Sequence, residues 1–142
     1  MDLKAYRSVA LDTMVFIHLF EGSAAFTGKI SKLFREIEKG AINGVTTVIT
    51  ISEILAKPLA EQNIELADEY KNVINGFPHL RVQEINQHIA VAAAALKAKY
   101  SIRLPDALQI AGGIYSGAQA FVTNDKQLRL VEEIKIILLD KL

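Results

Sequence analysis

Cysteine is absent from these 142 residues, which excludes a disulfide framework and a zinc–thiolate centre. Its absence fits a reducing cytoplasm. An excess of either charge is missing too: 16 Lys and Arg balance 16 Asp and Glu. Charge alone therefore gives no support for a nucleic-acid partner, and any basic surface has to be local. No apolar run is long enough to cross a bilayer. The most apolar helix-like stretch, IAVAAAAL (89–96), falls far short of the roughly 20 residues a span requires. The opening MDLKAYRSVALDT holds no apolar stretch of the kind a secretory leader needs. Internal repeats, low-complexity tracts and Ser/Pro linkers are also lacking, so residues 1–142 read as a single domain, long enough to bury a core.

What is present is an ordinary globular balance, 51% hydrophobic and 23% charged, which argues against disorder. Strand-like and helix-like segments alternate, and that pattern predicts an α/β architecture with a mostly parallel sheet. SVAL (8–11) reads as a strand ending in Asp-Thr, both good caps for the helix TMVFIHLF. Phe26, Ile30, Leu33, Phe34 and Ile37 form one apolar stripe on a helix that Gly40 ends. AINGVTT (41–47) is a weak second strand, and the helix from about Thr47 stops or kinks near Pro58. Residues 61–76 form another amphipathic helix, and HLRVQEI (79–85) a third strand. An Ala-rich helix covers 86–100. Pro105 suits the first turn of the next helix, which runs to about Ser116. AQAFVT (118–123) follows as a strand, and KIILLD (135–140) reads as a last, fully buried one.

Acidic residues stand where the chain leaves these strands. Asp12 follows the first, Asp125 follows AQAFVT, and Asp106 opens the helix between them. That helix advances about 18 Å over some 12 residues, and the strand returns about 17 Å over some 5. Out and back nearly cancel, so Asp106 and Asp125 fall on one sheet edge. Asp12 joins them if the strands are parallel, at the carboxyl edge where such sheets place their ligands. Two carboxylates at 4 Å repel by about 4 kcal/mol at an effective dielectric near 20, so a cluster needs protons or a cation. A hard divalent metal on carboxylates points to phosphate chemistry. Each acid also has a plainer reading. Asp12 and Asp125 serve as helix caps or turn residues, and Asp106 favours a helix dipole. Glu53 lies about six residues into its helix, on a face with Thr50 and Lys57, as a solvated glutamate would. Three histidines, His18, His79 and His88, have no spacing that pairs them as acid and base.

At these residues the chain resembles the PIN-domain family, which includes the ribonuclease toxins of VapBC-type toxin–antitoxin pairs. LDTMVFI (11–17) resembles the family's opening strand with its Asp-Thr, and SEIL (52–55) the helix carrying its glutamate. RLPDALQIAGGIYSGAQAFVTNDKQL (103–128), the most specific stretch, resembles the aspartate helix and a strand ending in Thr-x-Asp. Met14 departs from the small polar residue that many relatives carry beside the first Asp.

The resemblance implies a three-layer α/β/α fold around a central, mostly parallel five-stranded sheet. It implies that Asp12, Glu53, Asp106 and Asp125 form an acidic quartet binding Mg²⁺ or Mn²⁺, with Thr123 orienting a ligand or water and Thr13 in support. The implied activity is metal-dependent endoribonuclease cleavage of single-stranded RNA by in-line water attack, leaving 5′-phosphate and 3′-hydroxyl ends. Such a pocket needs cations for phosphate entry, and Arg103, Lys126 and Arg129 are the candidate nucleic-acid contacts. By analogy the chain is the toxin of an operon, works in the cytoplasm, dimerises, and is inhibited by a small antitoxin covering the pocket. Apolar residues of 25–39 and 47–59 supply either a dimer face or internal core. Two other readings compete. One is a PIN-like module that binds nucleic acid or protein without catalysis. The other, a phosphoacceptor receiver, needs an Asp after a middle strand, whereas strand 79–85 ends in Gln83-Glu84-Ile85-Asn86.

Overall fold

A computed structural model describes residues 3–142, so Met1 and Asp2 of the stretch read for a leader lie outside it. Five short strands make one sheet: β1 (Ser8–Leu11), β2 (Asn43–Thr47), β3 (Leu80–Gln83), β4 (Ala120–Thr123) and β5 (Lys135–Leu138). Their order is β3-β2-β1-β4-β5, and every pairing is parallel. β1 lies at the centre, with Val9 opposite Gly44 on one side and Ala120 on the other.

Alternation along the strands assigns the two faces. Val9, Leu11, Ala120 and Val122 join one buried cluster, with Phe16, Phe34, Ile30 and Ile37 from the helices over them. Those helices are α1 (Thr13–Glu21), α2 (Thr27–Glu38), α3 (Val48–Ala60) and α4 (Ile64–Gly76). Ala10 and Phe121 point the opposite way, into a second cluster with Ala93, Ala107, Ile110 and Ala111. These come from α5 (Gln87–Tyr100) and α6 (Leu104–Tyr115). The result is a three-layer α/β/α sandwich with helices on both faces, as parallel sheets require.

The expected parallel five-stranded sheet is found, and all its pairings are parallel. Local expectations are corrected. β5 is an edge strand whose Lys135 is exposed, not a fully buried one. α3 passes through Pro58 and ends at Ala60; a proline in the last turn forfeits only one bond, to the Ile54 carbonyl. α4 starts at Ile64 because the Asn63 side chain caps it, accepting from the Leu66 N–H at 3.1 Å. Of the two readings of the apolar residues of 25–39 and 47–59, core holds for Ile30, Leu33, Phe34, Ile37, Ile54 and Pro58, which are buried within the chain.

Candidate active site

Parallel strands deliver their carboxyl ends to one edge, and the acids collect there. Asp12 follows β1 and caps α1, its Oδ1 accepting from the Thr13 N–H at 2.8 Å. Its own N–H is anchored to the Val122 carbonyl of β4 at 3.0 Å. Thr123, the last residue of β4 and fully buried, donates its hydroxyl to Asp12 Oδ2 at 2.7 Å. Asp12 is only 7% exposed. Burial pushes its pKa up to about 6, against the hydrogen bonds from Thr123 and Thr13 and with the help of the like charges on Asp106 and Glu53.

Asp106 lies in the first turn of α6 and is as buried as Asp12. Both its oxygens face Arg103, which donates from Nε to Oδ2 at 3.0 Å and from Nη2 to Oδ1 at 3.2 Å. The guanidinium holds its proton more firmly than usual, first through the hydrogen bond to Asp106 and then through the charges of Asp106, Glu53 and Asp125. Asp125 is half-buried. Its N–H donates to Thr123 Oγ1 at 3.1 Å, and its Oδ1 caps the 3₁₀ turn Lys126–Leu130 through the Gln127 N–H at 2.9 Å.

Glu53 is exposed, as a solvated glutamate is, but it is not remote from the pocket: Thr13 donates its hydroxyl to Glu53 Oε1 at 2.7 Å. One turn before it, Thr50 is wholly buried. Helical periodicity gave no hint of this link, because the face is polar and its partners come from α1, β2 and α6.

The structure thus draws Asp12, Glu53, Asp106 and Asp125 into one electrostatic neighbourhood, with Thr123 and Thr13 between them. Among the described residues no three acids yet stand as ligands around one point, and both oxygens of Asp106 are held by Arg103. In kind the donors fit a hard divalent ion: all are carboxylate oxygens, and a buried acid raised to about 6 marks a place short of positive charge. Of the three candidate phosphate contacts, Arg103 bridges Asp106 yet keeps 73% of its side chain exposed. Lys126 is exposed, and Arg129 folds back to donate from Nε to the Lys126 carbonyl at 3.1 Å. The histidines are engaged elsewhere: His18 against Phe26, His88 against Tyr115, and His79 at the Ile37 and Glu38 carbonyls.

Sequence reasoning missed what lies beneath. Gln109, one turn after Asp106 on α6, is buried and reaches Thr13, Thr50 and Thr47 at 2.9, 2.7 and 2.5 Å. Thr46 contacts Thr50 at 2.7 Å and donates to the Leu11 carbonyl at 2.9 Å. Two signals were available: a lone glutamine in the apolar helix LPDALQIAGGIY, and the adjacent glycines that follow it. A Cβ at Gly112 would stand 2.5 Å from the Thr47 methyl, and one at Gly113 2.7 Å from the Ala10 Cβ. Only glycine allows α6 to lie this close to β1 and β2.

Comparison with known proteins agrees with this architecture. The PIN domain family model matches residues 9–134. Among solved structures, a toxin–antitoxin complex from Klebsiella pneumoniae is similar at a TM-score of 0.70 and 17% identity, over 94% of this chain and 99% of that one. VapBC2 from Rickettsia felis, bound to a DNA fragment from its promoter, is similar at 0.70 and 12%, over 92% and 98%. VapBC-1 from nontypeable Haemophilus influenzae is similar at 0.66 and 17%, over 94% and 99%. At such identities the likeness is one of fold. No curated protein matches the chain in sequence.

Proposed function

The chain belongs to the PIN domain family, and from that premise we propose that it is a Mg²⁺- or Mn²⁺-dependent endoribonuclease, the toxin of a toxin–antitoxin pair. One observation carries the reading: a buried carboxylate, Asp12, raised to about 6 and flanked by the like charges of Asp106 and Glu53. Such a cluster is costly unless a cation belongs there.

Asp12, Glu53, Asp106 and Asp125 would hold the ion. When bound, it polarises the scissile phosphate and makes water a better nucleophile. The chain supplies the rest. Thr123 and the Thr13 N–H fix both oxygens of Asp12, so the site is preorganised before substrate arrives. Thr13 fixes Glu53. Arg103 neutralises Asp106 in the ion's absence. With Asp106 engaged by an ion, Arg103, whose side chain is 73% exposed, would be available to an RNA phosphate. Lys126 and Arg129 extend the basic rim beside Asp125.

An antitoxin partner suits a groove of about 630 Å³ beside Glu53, lined by Ile17, Phe20, Ile54 and Tyr70 and by Glu21, Glu61 and Lys57, the last paired with Glu21 at 3.6 Å. A segment with an apolar face and basic flanks would cover it and the acids together. The substrate places the protein in the cytoplasm, and no helix among the described residues is long and apolar enough to cross a membrane. A homodimer belongs to the same proposal.

A second reading, a PIN-like module without catalysis, has one observation in its favour: Arg103 already occupies Asp106 as an ion would. Cleavage of labelled RNA decides between them. The nuclease reading expects cutting with Mn²⁺, none with EDTA, and a loss of at least a hundredfold in Asp106→Asn. Equal cutting in all three, or none in any, removes it.

A further inference from the structure

We propose that Gln109 is a positioning residue for Glu53, acting through the Thr13 hydroxyl at the end of a directed hydrogen-bond chain. The proposal rests on reading Glu53 as part of the active site.

The direction follows from counting protons. Thr47 Oγ1 caps α3, accepting from the Ile49 N–H at 3.1 Å. Its single proton goes to Gln109 Oε1 at 2.5 Å. With the amide so oriented, the other end of the Gln109 side chain is the NH₂. Its two hydrogens go to Thr13 Oγ1 at 2.9 Å and Thr50 Oγ1 at 2.7 Å. Thr46 gives its proton to the Leu11 carbonyl. Thr50, 2.7 Å from Thr46 Oγ1, must then be the donor of that pair. Thr50 Oγ1, 3.1 Å from Thr13 Oγ1, keeps one lone pair after Gln109, but Glu53 Oε1 is nearer at 2.7 Å and, as a carboxylate, can only accept, so it takes the Thr13 proton.

The chain thus begins at the cap of α3, crosses to α6, and ends one and a half turns along α3 on an otherwise exposed carboxylate. Every intermediate group is buried, so water does not compete for these protons, and each bond gains from the low dielectric. Gly112 is part of the device, because a side chain there would push the Thr47 methyl, and with it the hydroxyl, away from Gln109. Gln109 touches no acid, and its effect on Glu53 passes entirely through Thr13.

The test uses Gln109→Met, Thr13→Val and the double variant of the full chain. Two readouts are taken: Mn²⁺ affinity of RNA-free protein by calorimetry, and the carboxyl carbon resonance of Glu53 without metal. Each single variant is expected to weaken Mn²⁺ binding by about 10- to 100-fold, as loss of an outer partner of a metal ligand does. The double is expected to lose no more than the worse single, because both cut one path. Gln109→Met is also expected to move the Glu53 resonance as Thr13→Val does. Should Gln109→Met fail to fold, Gln109→Asn keeps the amide, withdraws it by one methylene, and carries the same expectations. An unmoved Glu53 resonance in a folded variant overturns the proposal, as do losses that multiply in the double. If wild type binds no Mn²⁺ but the resonance moves, the metal reading fails and the positioning stands. If wild type binds Mn²⁺ and the resonance stays, the reverse holds.

Discussion

The two faces of the sheet are packed by different means. Over the face of Val9, Leu11 and Val122 the helices bring large side chains, Phe16, Phe34, Ile30 and Ile37 among them. Over the face of Ala10 and Phe121, Ile89, Leu96 and Ile110 are interleaved with small residues of α5 and α6: Ala93, Ala107, Ala111, Gly112 and Gly113. Large apolar groups bury more area and contribute most to stability. Small ones let backbones approach closely and so fix where a helix lies. Both faces therefore supply stability, and the small residues of the second also place Asp106 and Gln109 against the sheet edge.

That contrast can be broken at four points, from the largest expected effect to the smallest. Phe16→Ala, on the large-side-chain face, is expected to cost about 3–5 kcal/mol in urea unfolding, while the folded protein keeps its Mn²⁺ affinity. A matching loss of affinity would show that the faces are not separable.

Asp12→Asn, at the edge where the faces meet, is expected to abolish cleavage and to stabilise the metal-free protein at pH 7 by up to about 3 kcal/mol, from a rise of 3.8 to about 6 at 1.36 kcal/mol per unit. A raised carboxyl pKa puts the extra proton on the folded state between those values. The contribution of Asp12 to stability is therefore undiminished below pH 3.8, falls as pH rises to about 6, and is flat above. The advantage of the variant should follow that curve in EDTA. A pH-independent difference would contradict the burial of a charge.

Gly113→Ala, on the close-packed face, should cost about 1–3 kcal/mol by overpacking against Ala10. Unlike Phe16→Ala it should also weaken Mn²⁺ binding, since α6 must move; equal affinity would remove the assigned role of that face. The smallest effect is expected from Arg103→Gln. An ion pair with one largely exposed partner is worth under about 1 kcal/mol, so the melting temperature should hardly change. RNA binding should weaken instead, measured as a rise in KM.

Much of the architecture was legible because it rests on local signals. Asp12 after an apolar run, the Phe26-to-Ile37 stripe and Pro105 in a first turn are caps and periods that act within one or two turns. The shared edge of Asp12, Asp106 and Asp125 followed from counting residues along a helix and a strand. Errors fell where distant segments decide. Glu53 looked remote from the pocket because a helical wheel shows which residues share a face but not what reaches it. KIILLD looked interior because an apolar run does not reveal whether a strand has one neighbour or two. For the helices of 25–39 and 47–59 a dimer face and internal core both stayed open, because apolar stripes do not name their occupants.

The chain alone determined its elements, their parallel arrangement and the kind of chemistry its acids suit, since propensity, capping and carboxylate repulsion are properties of neighbouring residues and of the groups themselves. Only the tertiary structure decided that Thr13 meets Glu53, that Arg103 takes both oxygens of Asp106, and that Gln109 joins α6 to α3. These contacts link residues of separate elements or depend on rotamers set by packing. Their free energy arises when burial removes water from both partners at once, and no single segment carries that information.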